Sequence, residues 1–269
     1  MNNTVDLLVL KVAIAPAFIG LVSLIALRYG HRAAGWLVAL PITTGTVLFV
    51  LTLTDGAAFA SSAALGALLG VVSICAFTIG YARSAPKYTW PVCLGIAAAG
   101  FVGSTLVLSR LPEMVVVDFV GAILALCIVL AVLPKPTGSA LAASLPRWEI
   151  PLRMLTAAVI VLVITTAAES LGSQLSGLLS PIPVFTITLV IFTHSREGPV
   201  PVFVFLRGLQ YGLFSFSAFC AVVALLLVPD GLAIAFAAGL AALFVVYAVV
   251  RTILGRLLEH SHPASSSVP

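Results

Sequence analysis

The sequence predicts an all-α fold: a polytopic transmembrane helical bundle of about nine spans, built on an inverted internal repeat. Three observations predict it. First, the 269 residues are 61% apolar and 8% charged, whereas a soluble domain is about 25% charged. With mean hydropathy at +1.23, the chain lacks the polar residues to coat a water-soluble globule. Second, apolar runs of the length that crosses a bilayer, about 20 residues, follow one another with short polar breaks. Third, a stretch in the first half returns 142 positions later without a gap.

Taken in order, the runs place helices near 5–28, 34–54, 59–82, 90–109, 114–133, 150–171, 177–194, 200–228 and 231–253. The start, MNNTVDLLVLKVAIAPAF, has no basic segment ahead of its apolar run, and reads as a first membrane helix rather than a cleaved leader. The stretch KPTGSALAASLPRWE, residues 135–149, is small, polar and proline-bearing, and reads as a linker. The chain then divides into a four-helix repeat (1–109), a connecting helix with its linker (110–149), a second and inverted four-helix repeat (150–258) and a disordered tail (259–269).

Basic residues orient this arrangement, because cytoplasmic loops of membrane proteins retain lysine and arginine. Arg28, Arg32, Arg83, Lys87, Lys135, Arg147, Arg153, Arg196, Arg251 and Arg256 fall on one side of the nine-span arrangement, and Arg110 alone on the other. The N-terminus is therefore expected outside and the C-terminus in the cytoplasm of a bacterial inner membrane. The net charge of +4 is scattered between apolar runs, which argues against nucleic acid as a partner. The four cysteines (Cys75, Cys93, Cys127 and Cys220) all lie inside apolar runs without CxxC spacing, so neither disulfide nor metal is expected. No cofactor is expected.

The repeated stretch is GWLVALPITTGTVLFVLTLTDG, residues 35–56, against GLLSPIPVFTITLVIFTHSREG, residues 177–198. Gly35 falls on Gly177, Pro41 on Pro183, Thr44 on Thr186, Thr46 on Thr188 and Gly56 on Gly198. The register extends over 10–77 and 152–219, pairing Gly30, Gly66 and Gly70 with Gly172, Gly208 and Gly212, Ser73 with Ser215, and Phe77 with Phe219. Shared alanine and leucine would mean little in apolar chains, but matched glycines, proline and threonines in one ungapped register mark a repeat. Five crossings separate the two copies, an odd number, so they are expected to be inverted. The architecture is then four helices, one connecting helix and four helices.

A proline within a helix removes one amide donor and frees a carbonyl a turn earlier. In lipid every such group must find a partner inside the protein. Pro41 and Pro183 therefore loosen the second and seventh helices near the predicted midplane. The threonines that follow, Thr43, Thr44 and Thr46, then Thr186 and Thr188, either bond the freed carbonyls or face a solute with them. Interrupted helices at corresponding places of two inverted halves point to a transporter's binding site. Ser73 and Ser215 either line the same pathway or bond a neighbouring helix. Gly66 with Gly70, and Gly208 with Gly212, have the four-residue spacing that lets helices approach closely, and are read as packing residues.

Charges inside spans are costly and attract functional suspicion. Arg207 lies a turn or two inside the inner edge of the eighth helix, where it binds an anionic group, reaches the cytoplasmic surface or pairs with Glu197. Lys11 is placed near the outer face with Asp118 as its partner. Glu169 is read as solvated at the outer surface. His194, His260 and His262 are read as loop or tail residues rather than ligands. No carboxylate falls at a midplane position, and the sequence carries no HExxH, GxSxG or phosphate-binding glycine loop.

The stretches GWLVALPITTG, PVFTITLVIFTH and LRGLQYGLFSFSAF resemble those of a family of bacterial hypothetical integral membrane proteins, over most of the chain. The second repeat is similar, more loosely, to GlpM-type membrane proteins in its proline-phenylalanine entry, the glycine after its seventh helix and its arginine-glycine-serine eighth helix. The resemblance brings no activity to particular residues, and Leu65 stands where Arg207 stands in the other copy. The expected function is that of a permease or secondary transporter of a small solute, working by alternating access between the two repeats and not as an enzyme. An accessory membrane protein of envelope or polysaccharide metabolism is the alternative, followed by an intramembrane lipid-modifying enzyme. The expected partners are the lipid bilayer and a small solute; association of two copies of the chain is left open.

Overall fold

The computed structural model describes residues 2–112, 114–134, 148–163 and 183–260. The region 135–147, the later part of the span expected at 150–171, the start of that expected at 177–194, and the tail from 261 lie outside the described residues, as do Gly172, Gly177 and Glu169. Among the described residues every regular element is a helix. They are α1 (Asn2–Tyr29), α2 (His31–Val38), α3 (Ile42–Thr54), α4 (Ala57–Ser84), α5 (Trp90–Leu108) and α6 (Val115–Val132). After them come α7, helical over 149–163, α8 (Val184–Glu197), α9 (Pro199–Leu226) and α10 (Gly231–His260).

Among the described residues six stretches are long and apolar enough to cross a membrane: His31–Thr54, Ala57–Ser84, Trp90–Leu108, Val115–Val132, Pro199–Leu226 and Gly231–Leu254. The first of these runs through the break between α2 and α3. Large apolar side chains cover the outside of the bundle, among them Val107, Val116, Leu124, Phe244 and Val245, each more than half exposed. Water would not tolerate so much exposed apolar surface; lipid solvates it. The protein is an α-helical membrane protein.

Burial identifies the central helices. In α9, 72% of the membrane window is buried and in α4 50%, against 17–22% in the other four. The two pack on each other and are stitched by Ser61 donating to the carbonyl of Ala224 (2.8 Å) and Gln210 donating to Thr78 Oγ1 (2.8 Å). The lower-numbered residue of one helix meets the higher-numbered residue of the other in both bonds, so α4 and α9 run antiparallel. Around them, α5 packs on α4, α10 and α2 pack on α9, and α6 touches both.

The turns between these helices use glycine where no other residue relaxes. Gly56 (φ 93) and Gly198 (φ 82) precede α4 and α9, in a backbone region that a Cβ makes costly. The two helices that follow are each 28 residues long, and both their ends are displaced by the same 142 positions as the sequence repeat. Sharp reversals at these glycines turn α3 back along α4 and α8 back along α9.

Small residues decide how near α2 comes to α9. A Cβ on Gly35 would collide with the backbone of Phe205 and Leu209, and one on Gly208 with the carbonyl of Arg32. A Cβ on Gly212 would press on Ala39 and Trp36. The pair Gly208 and Gly212 thus opens a groove for α2. Gly66 differs: a Cβ there would meet nothing within 4 Å.

Candidate functional site

The proline break is a true interruption. α2 ends at Val38, and α3 starts at Ile42 with Pro41 as its N-cap residue at φ −77, ψ 40. Pro41 has no amide for the carbonyl of Leu37, and Leu40 donates to that carbonyl instead at 3.1 Å in a tightened turn. The threonines do not serve the freed carbonyl. Thr46 donates to Ile42 in its own helix at 2.7 Å, and Thr188 makes the same bond to Val184 at 2.9 Å. α8 likewise begins after Pro183, at φ −79, ψ 68. Such back-bonding satisfies each hydroxyl within its own helix.

The two prolines differ in their surroundings. Pro41 is buried, Thr44 half-buried, and Thr43 and Thr46 exposed; Pro183 is half-buried, while Thr186 and Thr188 are buried. Beside the first lies an open groove of about 380 Å³, walled by Pro41, Ile42, Gly45, Thr46, Phe49, Phe219, Phe236 and Leu240. Its floor is α9 and its sides are α3 and α10. The rings of Phe49 and Phe219 both meet the edge of Phe236, with centroids 5.8 and 6.0 Å away. At Pro183 the helix that follows, α8, packs against α9 and α5, and Thr186 and Thr188 are buried.

The remaining residues of the expected pathway have other work. Ser73 accepts a hydrogen bond from Thr105 of α5 at 2.9 Å. Ser215 is buried with its hydroxyl unpartnered. Arg207 neither faces the groove nor meets Glu197. Its guanidinium donates to the carbonyls of Leu133 (2.9 Å), Leu130 (3.3 Å) and Pro134 (3.4 Å), closing the C-terminal end of α6. Those carbonyls lack helical partners and carry the negative end of the helix dipole, so a cation there is favoured. At the other end of α6, Asp118 accepts from the amide of Met114 at 3.0 Å. The Lys11 side chain lies outside the described residues.

Several polar contacts were not foreseen. Glu197 pairs with His31 at 2.9 Å, both side chains only 6% exposed. His194 is in the last turn of α8, not in a loop, and its Nδ1 lies 3.1 Å from the Tyr81 hydroxyl. Arg153 is fully buried and bonded to Glu149 at 2.6 Å, with Arg196 at 3.7 Å from the other carboxylate oxygen. Arg196 also stacks over Trp148. The C-terminal turn of α8 is thereby tied to α2, α4 and the start of α7. In the core, Gln210 bridges α9 to Thr78 and Cys75. A sequence signal existed for Gln210, the lone side-chain amide in α9, where lipid-facing placement would be costly. Glu149 and Arg153 stand four positions apart, a spacing that puts them on one helix face, whereas His31 with Glu197 and Tyr81 with His194 are more than a hundred positions apart, which no local pattern announces.

Among the described residues no group of His, Cys, Asp and Glu could hold a metal ion, and all four cysteines are free. Comparison of the chain with protein-family models, with curated proteins and with solved structures finds no match. The class of protein is therefore defined by its own helices: a polytopic, all-α membrane protein with a broken helix beside a lateral groove.

Proposed function

We propose that this protein is a permease or secondary transporter of the bacterial inner membrane, moving a small solute by rocking two inverted repeats about their broken helices. The observation that carries the reading is the unequal state of two equivalent sites. Thr46 and Thr188, in the same register and with the same hydrogen bond, are exposed beside an open groove in one half and buried in the other. Alternating access by inverted repeats requires such a pair of unlike conformations, exchanged in each cycle. The antiparallel course of α4 and α9, equivalent by register and equal in length, supports the inversion. So does the near-equal burial of Phe77 and Phe219, both 1% exposed. In this reading α1, α7 and α8 complete nine crossings, with the N-terminus outside and the C-terminus in the cytoplasm. The likeness to bacterial hypothetical membrane proteins and to GlpM-type proteins belongs to the same proposal.

The test needs no knowledge of the solute. The four native cysteines are replaced and single cysteines introduced as Thr44→Cys or Thr186→Cys. Membrane-impermeant thiol reagents are then applied from each side. The proposal expects labelling at both positions, from opposite faces. Absence of labelling at both, in protein that remains folded, would discard the open pathway. The prolines would then be packing devices, and the search would turn to partners of an accessory membrane protein.

A further inference from the structure

Two ring contacts, one inside the groove beside Pro41 and one beyond its end, fix the register of α2–α3 against α10. Phe49 meets Phe236 at 5.8 Å, and Trp36 meets Tyr247 edge-on at 4.7 Å. The α2–α3 wall therefore runs antiparallel to α10. Arg32 lies one turn before Trp36, and Arg251 one turn beyond Tyr247, so both fall at the same level, just past the Trp36–Tyr247 pair. From Arg32 to Phe49 the seam is about 25 Å long at the helical rise per residue, comparable with the hydrocarbon core of a bilayer.

Neither arginine has an ion pair or hydrogen-bond partner among the described residues; Arg251 is exposed and Arg32 half-buried. The seam thus has two free guanidiniums at one end, an aromatic pair at interfacial depth and an apolar, aromatic-walled trough leading inward. Each part matches one part of an anionic phospholipid. Tryptophan and tyrosine settle at headgroup level, and basic pockets between membrane helices bind acidic headgroups.

We propose that the seam between α2–α3 and α10 binds one anionic phospholipid of the inner leaflet. Its phosphate lies between Arg32 and Arg251, and one acyl chain occupies the trough over Phe219. Gly45 is part of the fit. Its missing side chain leaves the Phe219 ring as the floor, 3.5 Å from where a Cβ would stand, and the equivalent position in the enclosed half carries Ile187. The site does not depend on transport and would exist equally in an accessory membrane protein; its assignment to the inner leaflet rests on the orientation proposed above.

The test is Trp36 fluorescence in the full chain, with Trp90→Phe and Trp148→Phe removing the other tryptophans, reconstituted into phosphatidylcholine bilayers. Chain-brominated phosphatidylglycerol or chain-brominated phosphatidylcholine is added at equal mole fraction as quencher. Preferential quenching by the anionic lipid is expected, with apparent association favoured about 25-fold if each arginine contributes about fivefold. Replacing both arginines (Arg32→Gln with Arg251→Gln) should abolish the preference, and replacing both with lysine should retain most of it. Gly45→Leu should reduce quenching by the anionic lipid while the melting temperature is held. Equal quenching by the two lipids overturns the proposal. So does a preference that survives the double glutamine substitution in folded protein.

Discussion

Arg153 and Arg207 are the arginines a membrane would tolerate least, and each is neutralised differently. Arg153 spends its charge on Glu149 within one helical turn, fully buried. Removing one partner of a buried pair strands the other, at about 3–5 kcal/mol. Glu149→Ala should therefore destabilise the protein by that amount in denaturant titrations in mixed micelles. The double substitution Glu149→Leu with Arg153→Met should cost clearly less than Glu149→Ala, because the only charge it leaves without its Glu149 partner is Arg196, which is exposed to solvent. Arg207 instead joins the end of one helix to the middle of another. Replacing it by leucine, the residue at the equivalent position 65, should cost about 1.5–3 kcal/mol, the range for hydrogen bonds from a charged group. The same unfolding titration measures it.

At the scale of elements, the fold depends on how close α2 and α9 approach. Gly35 and Gly208 meet backbone, which cannot swing aside as a flexible side chain would. Gly35→Ala and Gly208→Ala should each lower stability by about 1–3 kcal/mol, the cost of overpacking. Gly66→Ala should lose nothing, and stand to gain up to about 1 kcal/mol in helix propensity, because its Cβ would enter open space. Thermal unfolding of the three variants in one detergent compares them directly. The sequence spacing assigned the same role to Gly66 and Gly208; the neighbours separate them. The break at Pro41 was legible as a break, since a missing amide is a local property. Where the threonine hydroxyls go was not, because a bond within the helix and a bond to a freed carbonyl satisfy the same groups.

At the scale of the whole molecule, the surface is apolar on α5, α6 and α10, and the proposed nine crossings would gather the basic residues to one side. The proposed nine crossings place the termini on opposite faces. A reporter that fluoresces only in the cytoplasm should be bright when fused after residue 269, and a protease that cannot cross the membrane should remove a tag placed ahead of Met1 from the outside. A dark C-terminal fusion together with an N-terminal tag cut from outside, in correctly inserted protein, would put both termini on one face and remove the odd span count.

The sequence by itself determined the solvent and the rhythm of this protein. Apolar run length, and the glycines and prolines that punctuate it, are local quantities. They located most of the described helices to within a few residues, whereas the equal lengths of α4 and α9 and the extension of α10 to His260 emerged only in the structure. Only the tertiary structure decided which polar groups meet. It sent Arg207 to the carbonyls of α6, Glu197 to His31, and Tyr81 to His194. It also left Thr46 exposed beside a groove while Thr188 was buried. The physical reason is that in lipid an apolar face packs about equally well against a neighbouring helix or an acyl chain. Hydropathy therefore says that a helix crosses, but not against which neighbour, and the few polar contacts depend on that choice.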